Sequence, residues 1–187
     1  MTEQRTDTGA ADPACALAHG DRSDDEPRTV VAVFASPVAG YLLHFARDAG
    51  FRTVLVEPRP DEHDHGARSH ADAVLAGCDG AELNETADVV VCDHHRPELG
   101  ETLREVLATR ARWVGVMGSP RHAPPYLSAL RKLQVPEDDI ARVHRPIGLN
   151  IGSRTPPEIA IATLAGLIAD RRGRDGGFEF ERTAASV

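Results

Sequence analysis

Five short, solidly apolar runs separated by longer helix-patterned stretches limit this 187-residue chain to few architectures. The runs are Val30–Ala35, Thr53–Val56, Ala73–Ala76, Val89–Cys92 and Trp113–Met117. They are continuous rather than alternating, which is the pattern of strands covered on both faces. Helices are expected over 38–49, with Leu42, Leu43, Phe45 and Ala46 turned inward and Gly50 as the stop, and over 97–109, with Leu99, Leu103, Val106 and Leu107 on one face. Further helices are expected near 124–133 and 136–143, and a long one from Pro156 to about Arg171. Arg59 to His70 reads as a polar loop and Asp79 to Leu83 as a brief helical turn. Strands and helices in alternation predict an α/β fold, a Rossmann-like parallel sheet in the order 3-2-1-4-5 with helices on both faces. Ligands of such sheets bind beyond the carboxyl ends of the strands. The loops Ala35–Gly40, Glu57–Arg59, Cys92–Arg96 and Met117–Arg121 should therefore face one crevice.

Composition narrows the setting. Apolar residues make up 41% of the chain and aromatic residues 4%, so a core must come from Val, Leu, Ile and Ala. One domain over 29–172 accounts for the patterned region; residues 1–28 read as a disordered N-terminal segment and 173–187 as a flexible tail. The net charge of −8 argues against nucleic acid or an anionic membrane as partner, because both call for a basic face. No apolar run approaches bilayer-spanning length, and residues 1–28 lack the apolar stretch of a secretory signal. Cys15, Cys78 and Cys92 are odd in number and form no CxxC pair, which argues against a disulfide framework and for a reducing cytoplasm.

Candidate chemistry sits in the loops. From Arg145 to Ala160 a segment punctuated by Gly148 and Gly152 runs into a helix start. Thr155 stands as N-cap, Pro156 at the first helical position and Glu158 where a capping box would close. Arg154 beside that N-terminus suggests a site for an anion, although a well-made cap alone explains the same residues. Gly118, Ser119 and Arg121 after the fifth run read either as a second anion cradle or as a tight turn with a surface arginine. Two arginines on two glycine-bearing loops that converge would favour the cradle. His94 and His95 after the fourth run suit hydrogen bonding or proton transfer near neutral pH, or simply a polar loop. Cys92 is either a small buried residue ending a strand or a soft ligand. His63, His65 and His70 lack the spacing of a structural zinc site, and no metal is assigned. The first loop, Ala35-Ser36-Pro37-Val38-Ala39-Gly40, lacks the glycines of a dinucleotide-binding turn, and Pro37 removes a donor. Glu57 stands where a ribose-binding acid would, so NAD(P) stays open as a cofactor on thin support.

From Val114 to Ser119 with Arg121, through Val135-Pro136-Glu137 and Ile140 to His144, to Pro146-Ile147-Gly148-Leu149-Asn150-Ile151-Gly152-Ser153-Arg154-Thr155-Pro156-Pro157-Glu158-Ile159-Ala160, the chain resembles the C-terminal Rossmann domain of the XdhC/CoxI family. These are accessory proteins of xanthine dehydrogenase and related molybdenum hydroxylases. The resemblance covers roughly 29–172. It implies a protein that binds the molybdenum cofactor (molybdopterin) and helps pass it to the apo-hydroxylase, as a chaperone rather than an enzyme with turnover. On that reading Gly118, Ser119, Arg121, Gly148, Gly152 and Arg154 line or shape the crevice, with Arg121 and Arg154 on the phosphate, and Ser36, Glu57, His94, His95, Asn150 and Thr155 complete the expected cofactor-binding set. Three departures stand out: Ala35-Ser36-Pro37-Val38 replaces a Gly-Ala-Gly-His type turn, Asp93-His94-His95 replaces Thr-His-Asp/Asn, and Asn150 replaces an aspartate. Long members carry a separate N-terminal domain, and the resemblance implies a second polypeptide bearing it as an expected partner. A homodimer is the default oligomer.

Overall fold

The computed structural model describes residues 28–59, 66–78, 82–118 and 123–177. Six strands form one sheet: β1 (Thr29–Val33), β2 (Arg52–Val56), β3 (Ala73–Leu75), β4 (Ala87–Val91), β5 (Trp113–Val116) and β6 (Val143–His144). Their order is β3-β2-β1-β4-β5-β6 and every pairing is parallel. The expected 3-2-1-4-5 sheet is present, extended by a two-residue strand at its edge. That strand falls where a helix was expected to run on to Val143; α4 (Glu137–Ile140) stops after one turn and the chain pairs with β5 instead.

The other helices lie close to their expected spans: α1 (Pro37–Asp48), α2 (Leu99–Leu107), α3 (Pro125–Lys132) and α5 (Pro156–Arg171). Part of the expected polar loop is a 3-10 turn over Arg68–His70. The N-terminal segment, most of the C-terminal tail, His63, His65 and most of the turn expected over Asp79–Leu83 lie outside the described residues. Among the described residues, no helix is long and apolar enough to cross a membrane.

Why the strands read as solid runs is plain from the packing. Every residue of β1 and β4 is buried, and successive residues feed opposite layers. Val31, Val33, Val89 and Val91 pack under α2 and α3 with Leu103, Val106 and Leu130. Val30, Ala32 and Val90 face α1 and α5 with Leu42, Leu43, Leu164 and Leu167. Small residues set the spacing. At Gly100 a Cβ would lie 2.9 Å from the Ala129 side chain, so α2 and α3 approach closely there.

One strand residue breaks the pattern. Asp88 in β4 is fully buried, and its carboxylate accepts from Arg112 Nε at 2.7 Å and Arg171 Nε at 2.6 Å. Arg171 also donates to the Thr86 carbonyl, and Arg112 reaches Asp170 at 2.7 Å. The end of α5 is thereby pinned to the amino edge of the sheet. Its start, about 24 Å away along a 16-residue helix, lies toward the carboxyl edge. Removing Asp88 would leave two arginines without their shared anion. Asp88→Ala is expected to cost about 3–5 kcal/mol in urea unfolding, and a loss below about 1 kcal/mol would show that the network contributes little.

Candidate functional site

Because all six strands run the same way, the loops that follow them meet at the carboxyl edge, and specific bonds tie them together. Glu57, the residue after β2, is only 3% exposed. Its Oε2 accepts from the Ala35 amide at 2.8 Å and its Oε1 from the Arg59 amide at 2.9 Å. Arg96, from the loop after β4, closes on both oxygens at 3.1 and 2.7 Å. The Arg96 guanidinium also covers the Phe34 ring, 4.8 Å from its centroid. Arg59 in turn donates to Glu98 at 2.8 Å. Three of the four expected loops thus converge as anticipated. The fourth contributes Met117 and Gly118, while Ser119 and Arg121 lie outside the described residues.

The clasp changes the reading of Glu57. A ribose-binding acid must offer an oxygen to a ligand hydroxyl, whereas both oxygens here are engaged within the protein and nearly sealed from water. Burial works to raise the Glu57 pKa, but hydrogen bonds from Arg96, Ala35 and Arg59 outweigh it and hold the carboxyl below the ordinary glutamate range. Phe34 turns the chain out of β1 at φ +69°, a left-handed geometry that a dinucleotide loop would give to glycine. Ser36 is committed as well, since its Oγ accepts from the Ala39 amide at 3.1 Å and caps α1.

The helix start at Thr155 is likewise occupied by the protein itself. The Glu158 carboxylate accepts from the Arg154 amide at 2.7 Å and the Thr155 amide at 3.1 Å, completing the expected capping box. Those two amide bonds hold the Glu158 pKa below its usual range. The anion at this N-terminus is therefore Glu158, and the Arg154 side chain is exposed beside it. Gly148 has a packing role: at φ +84° it lies against α5, where a Cβ would come within 3.1 Å of the Thr163 amide. Asn150 and Gly152 are exposed, and nothing approaches Gly152 within 4 Å of a Cβ position.

What does open at the carboxyl edge is a cleft of about 640 Å³ between α2 and α3. Its wall includes His94, His95, Arg96, Gly100, Pro125 and Arg145. His94 and His95 stack with ring centroids 4.1 Å apart. Burial, the neighbouring His95 and the Arg145 charge lower the His94 pKa, against Asp93 and a hydrogen bond to the Met117 main chain, so the ring stays neutral at neutral pH. Arg145 lies across Gly118, where a Cβ would stand 2.8 Å from one guanidinium nitrogen. Of the expected site residues, His94, His95 and Gly118 come together here. Arg145 is the cation to which reading the sequence gave no role, although it opens the glycine segment. Burial pushes the Cys92 thiol far up, which makes it a core residue rather than a soft ligand. Among the described residues, no group of three or more His, Cys, Asp or Glu is placed to hold a metal ion.

Residues 30–167 match the family model described as the XdhC Rossmann domain. The chain belongs to this family. It is 32% identical over 108 residues to an Escherichia coli protein called uncharacterized protein YqeB, a match covering 58% of this chain and 20% of that one. It is also 24% identical over 153 residues to a Bacillus subtilis protein named as a probable xanthine dehydrogenase subunit, covering 79% of this chain and 44% of the other. A crystal structure described as a xanthine dehydrogenase from Bacillus halodurans shares the fold, with a TM-score of 0.62 and 24% identity over 86% of this chain and 45% of that one. This XdhC domain thus spans less than half the length of these relatives.

The clasp should be visible in acid. A carboxyl whose folded pKa lies below its unfolded value stabilises the fold above the unfolded value, and that stability is lost as pH falls through the folded one. Glu57 therefore supports the protein fully above about pH 5. Glu57→Gln should lower the melting temperature near neutral pH and narrow its gap to the native protein as the pH falls below about 4. A gap that stays constant with pH would assign the loss to packing instead.

Proposed function

We propose that this XdhC domain is an accessory protein in the maturation of a molybdenum hydroxylase of the xanthine dehydrogenase type, binding the molybdenum cofactor and assisting its transfer to the apo-enzyme. The observation that supports this most directly is a cationic cleft at the carboxyl edge of a strongly acidic chain. Molybdopterin is an anionic, phosphate-bearing heterocycle, and its needs match the donors present. Arg145 supplies a fixed charge, His94 and His95 supply ring nitrogens, and Leu99, Pro125 and Ala129 supply apolar wall for a flat ring. The cofactor, once installed in the hydroxylase, supplies the redox metal; this chain's residues hold it, shield it and release it.

The name of the Bacillus subtilis relative, a probable xanthine dehydrogenase subunit, agrees with a partner of that class. An NAD(P)-dependent oxidoreductase on the same fold is the less favoured reading. Glu57 is committed to Arg96, Pro37 removes an amide donor where a pyrophosphate would lie, and Ser36 caps its own helix.

The full chain titrated anaerobically with isolated molybdenum cofactor should quench pterin fluorescence with micromolar affinity. It should also raise the rate at which an apo-hydroxylase gains activity. If pterin is not retained, and NADPH binds with comparable strength, the oxidoreductase reading replaces this one.

A further inference from the structure

The geometry points to Arg145, laid over Gly118 and faced by His94, as a subsite for a phosphate monoester, and assigns no ligand to the start of α5. This deepens the reading above, on which it rests for the heterocycle that carries the phosphate but not for the phosphate itself.

Three observations carry it. First, Arg145 is half-buried at the inner wall of a cleft large enough for a small ligand, whereas Arg154 is exposed and takes no part in lining that cleft. A guanidinium held out of bulk water keeps its two-pronged donor geometry and loses less of its strength to screening. Second, the absence of a side chain at Gly118 creates the berth. A Cβ there would stand 2.8 Å from one Arg145 terminal nitrogen and 2.9 Å from its Nε, so the guanidinium rests flat on the backbone after β5. Third, the surrounding groups leave an anion welcome. The Arg145 charge is felt by His94, which it helps shift toward the neutral ring, and by Tyr126, where burial raises the pKa and Arg145 works against it. Of the neighbouring acids, Glu57 and Glu98 are bound to Arg96 and Arg59, and Asp93 accepts from the His95 amide at 2.9 Å. At the start of α5, in contrast, Glu158 already fills the amide donors with a fixed carboxylate, and a phosphate would have to displace it against like charge.

The site is open from the α2–α3 side, while toward β1 and β2, where a nucleoside would extend in a dinucleotide-binding sheet, the adjoining space is taken by Arg96, over Phe34 and against Glu57. The ligand is therefore a single phosphate ester whose body lies between α2 and α3.

The test uses inorganic phosphate as probe, followed by phosphorus NMR line broadening and by the imidazole proton signals of His94. Phosphate should shift the His94 signals in the native chain. Arg145→Ala should weaken binding at least about tenfold, and Arg145→Lys, which keeps the charge but loses the fork, should fall between. Arg154→Ala should bind as the native chain does. Gly118→Ala retains every charge yet displaces the guanidinium, so it should weaken phosphate as well. Should Gly118→Ala unfold, the two Arg145 variants decide the matter alone. Native phosphate binding in Arg145→Ala, or its loss in Arg154→Ala, overturns the subsite. Cofactor bound equally well by native chain and Arg145→Ala would remove the subsite and leave the delivery role standing. Phosphate that depends on Arg145 in a chain that holds no pterin would do the reverse.

Discussion

A single buried carboxylate holds the carboxyl edge of this sheet together. Glu57 closes the loop after β1 through the Ala35 amide, its own loop through the Arg59 amide, and the loop after β4 through Arg96. Taking such a charge from water costs several kcal/mol, and only a nearly complete set of donors repays it. The arrangement supplies them, from two amides and a two-pronged guanidinium. The consequence reaches beyond stability. With Arg96 over Phe34, protein fills the space next to the Glu57 loop, and the cleft bearing Arg145 lies toward α2, α3 and β6, apart from a second hollow along α1 lined by Pro37, Gly40 and Tyr41.

The two edges of the sheet use the same chemistry for different ends. At the amino edge Asp88 gathers Arg112 and Arg171 into a wholly structural knot that ties α5 to β4. At the carboxyl edge Glu57 neutralises Arg96, so the positive character of the cleft rests on Arg145 rather than on two guanidiniums repelling each other. An acidic chain can hold an anion only if its acids are committed elsewhere. Glu57 and Glu98 meet that condition through their own arginines, which is how a net charge of −8 coexists with a cationic pocket.

The fold was legible because burial on both faces leaves an unmistakable trace. Val30 to Phe34 and Val89 to Val91 admit no polar residue, and the helices between them carry their apolar stripes at regular spacing. The capping box at Thr155 was legible too, being a local arrangement of residues three apart. The sixth strand was not, since two residues offer no periodicity to read. Nor were Arg145 and Arg96. Both are arginines in loops, indistinguishable in sequence from solvated ones, and their roles come from residues far away: Gly118 for one and Glu57, 39 positions distant, for the other. Asp88 does carry a signal of its own, an acid within an apolar run, which can survive there only with buried partners.

The start of α5 has a physical lesson of its own. A helix N-terminus attracts negative charge through its free amides, and a glutamate at the third helical position satisfies that attraction from within. The Thr-Pro-Pro-Glu segment therefore predicts a closed N-terminus as strongly as it predicts a helix. Had the residue at 158 been neutral and short, the amides of Arg154 and Thr155 would have faced outward. With Glu158 in place they are spent, at 2.7 and 3.1 Å from its carboxylate. Gly148 follows the same logic, because its freedom from a Cβ serves contact with Thr163 and Gly166 rather than approach to a ligand. A glycine helps to place an arginine only where its missing side chain makes room for the guanidinium. In this chain that condition is met by Gly118 and Arg145, which come from different loops and are joined by the β5–β6 pairing.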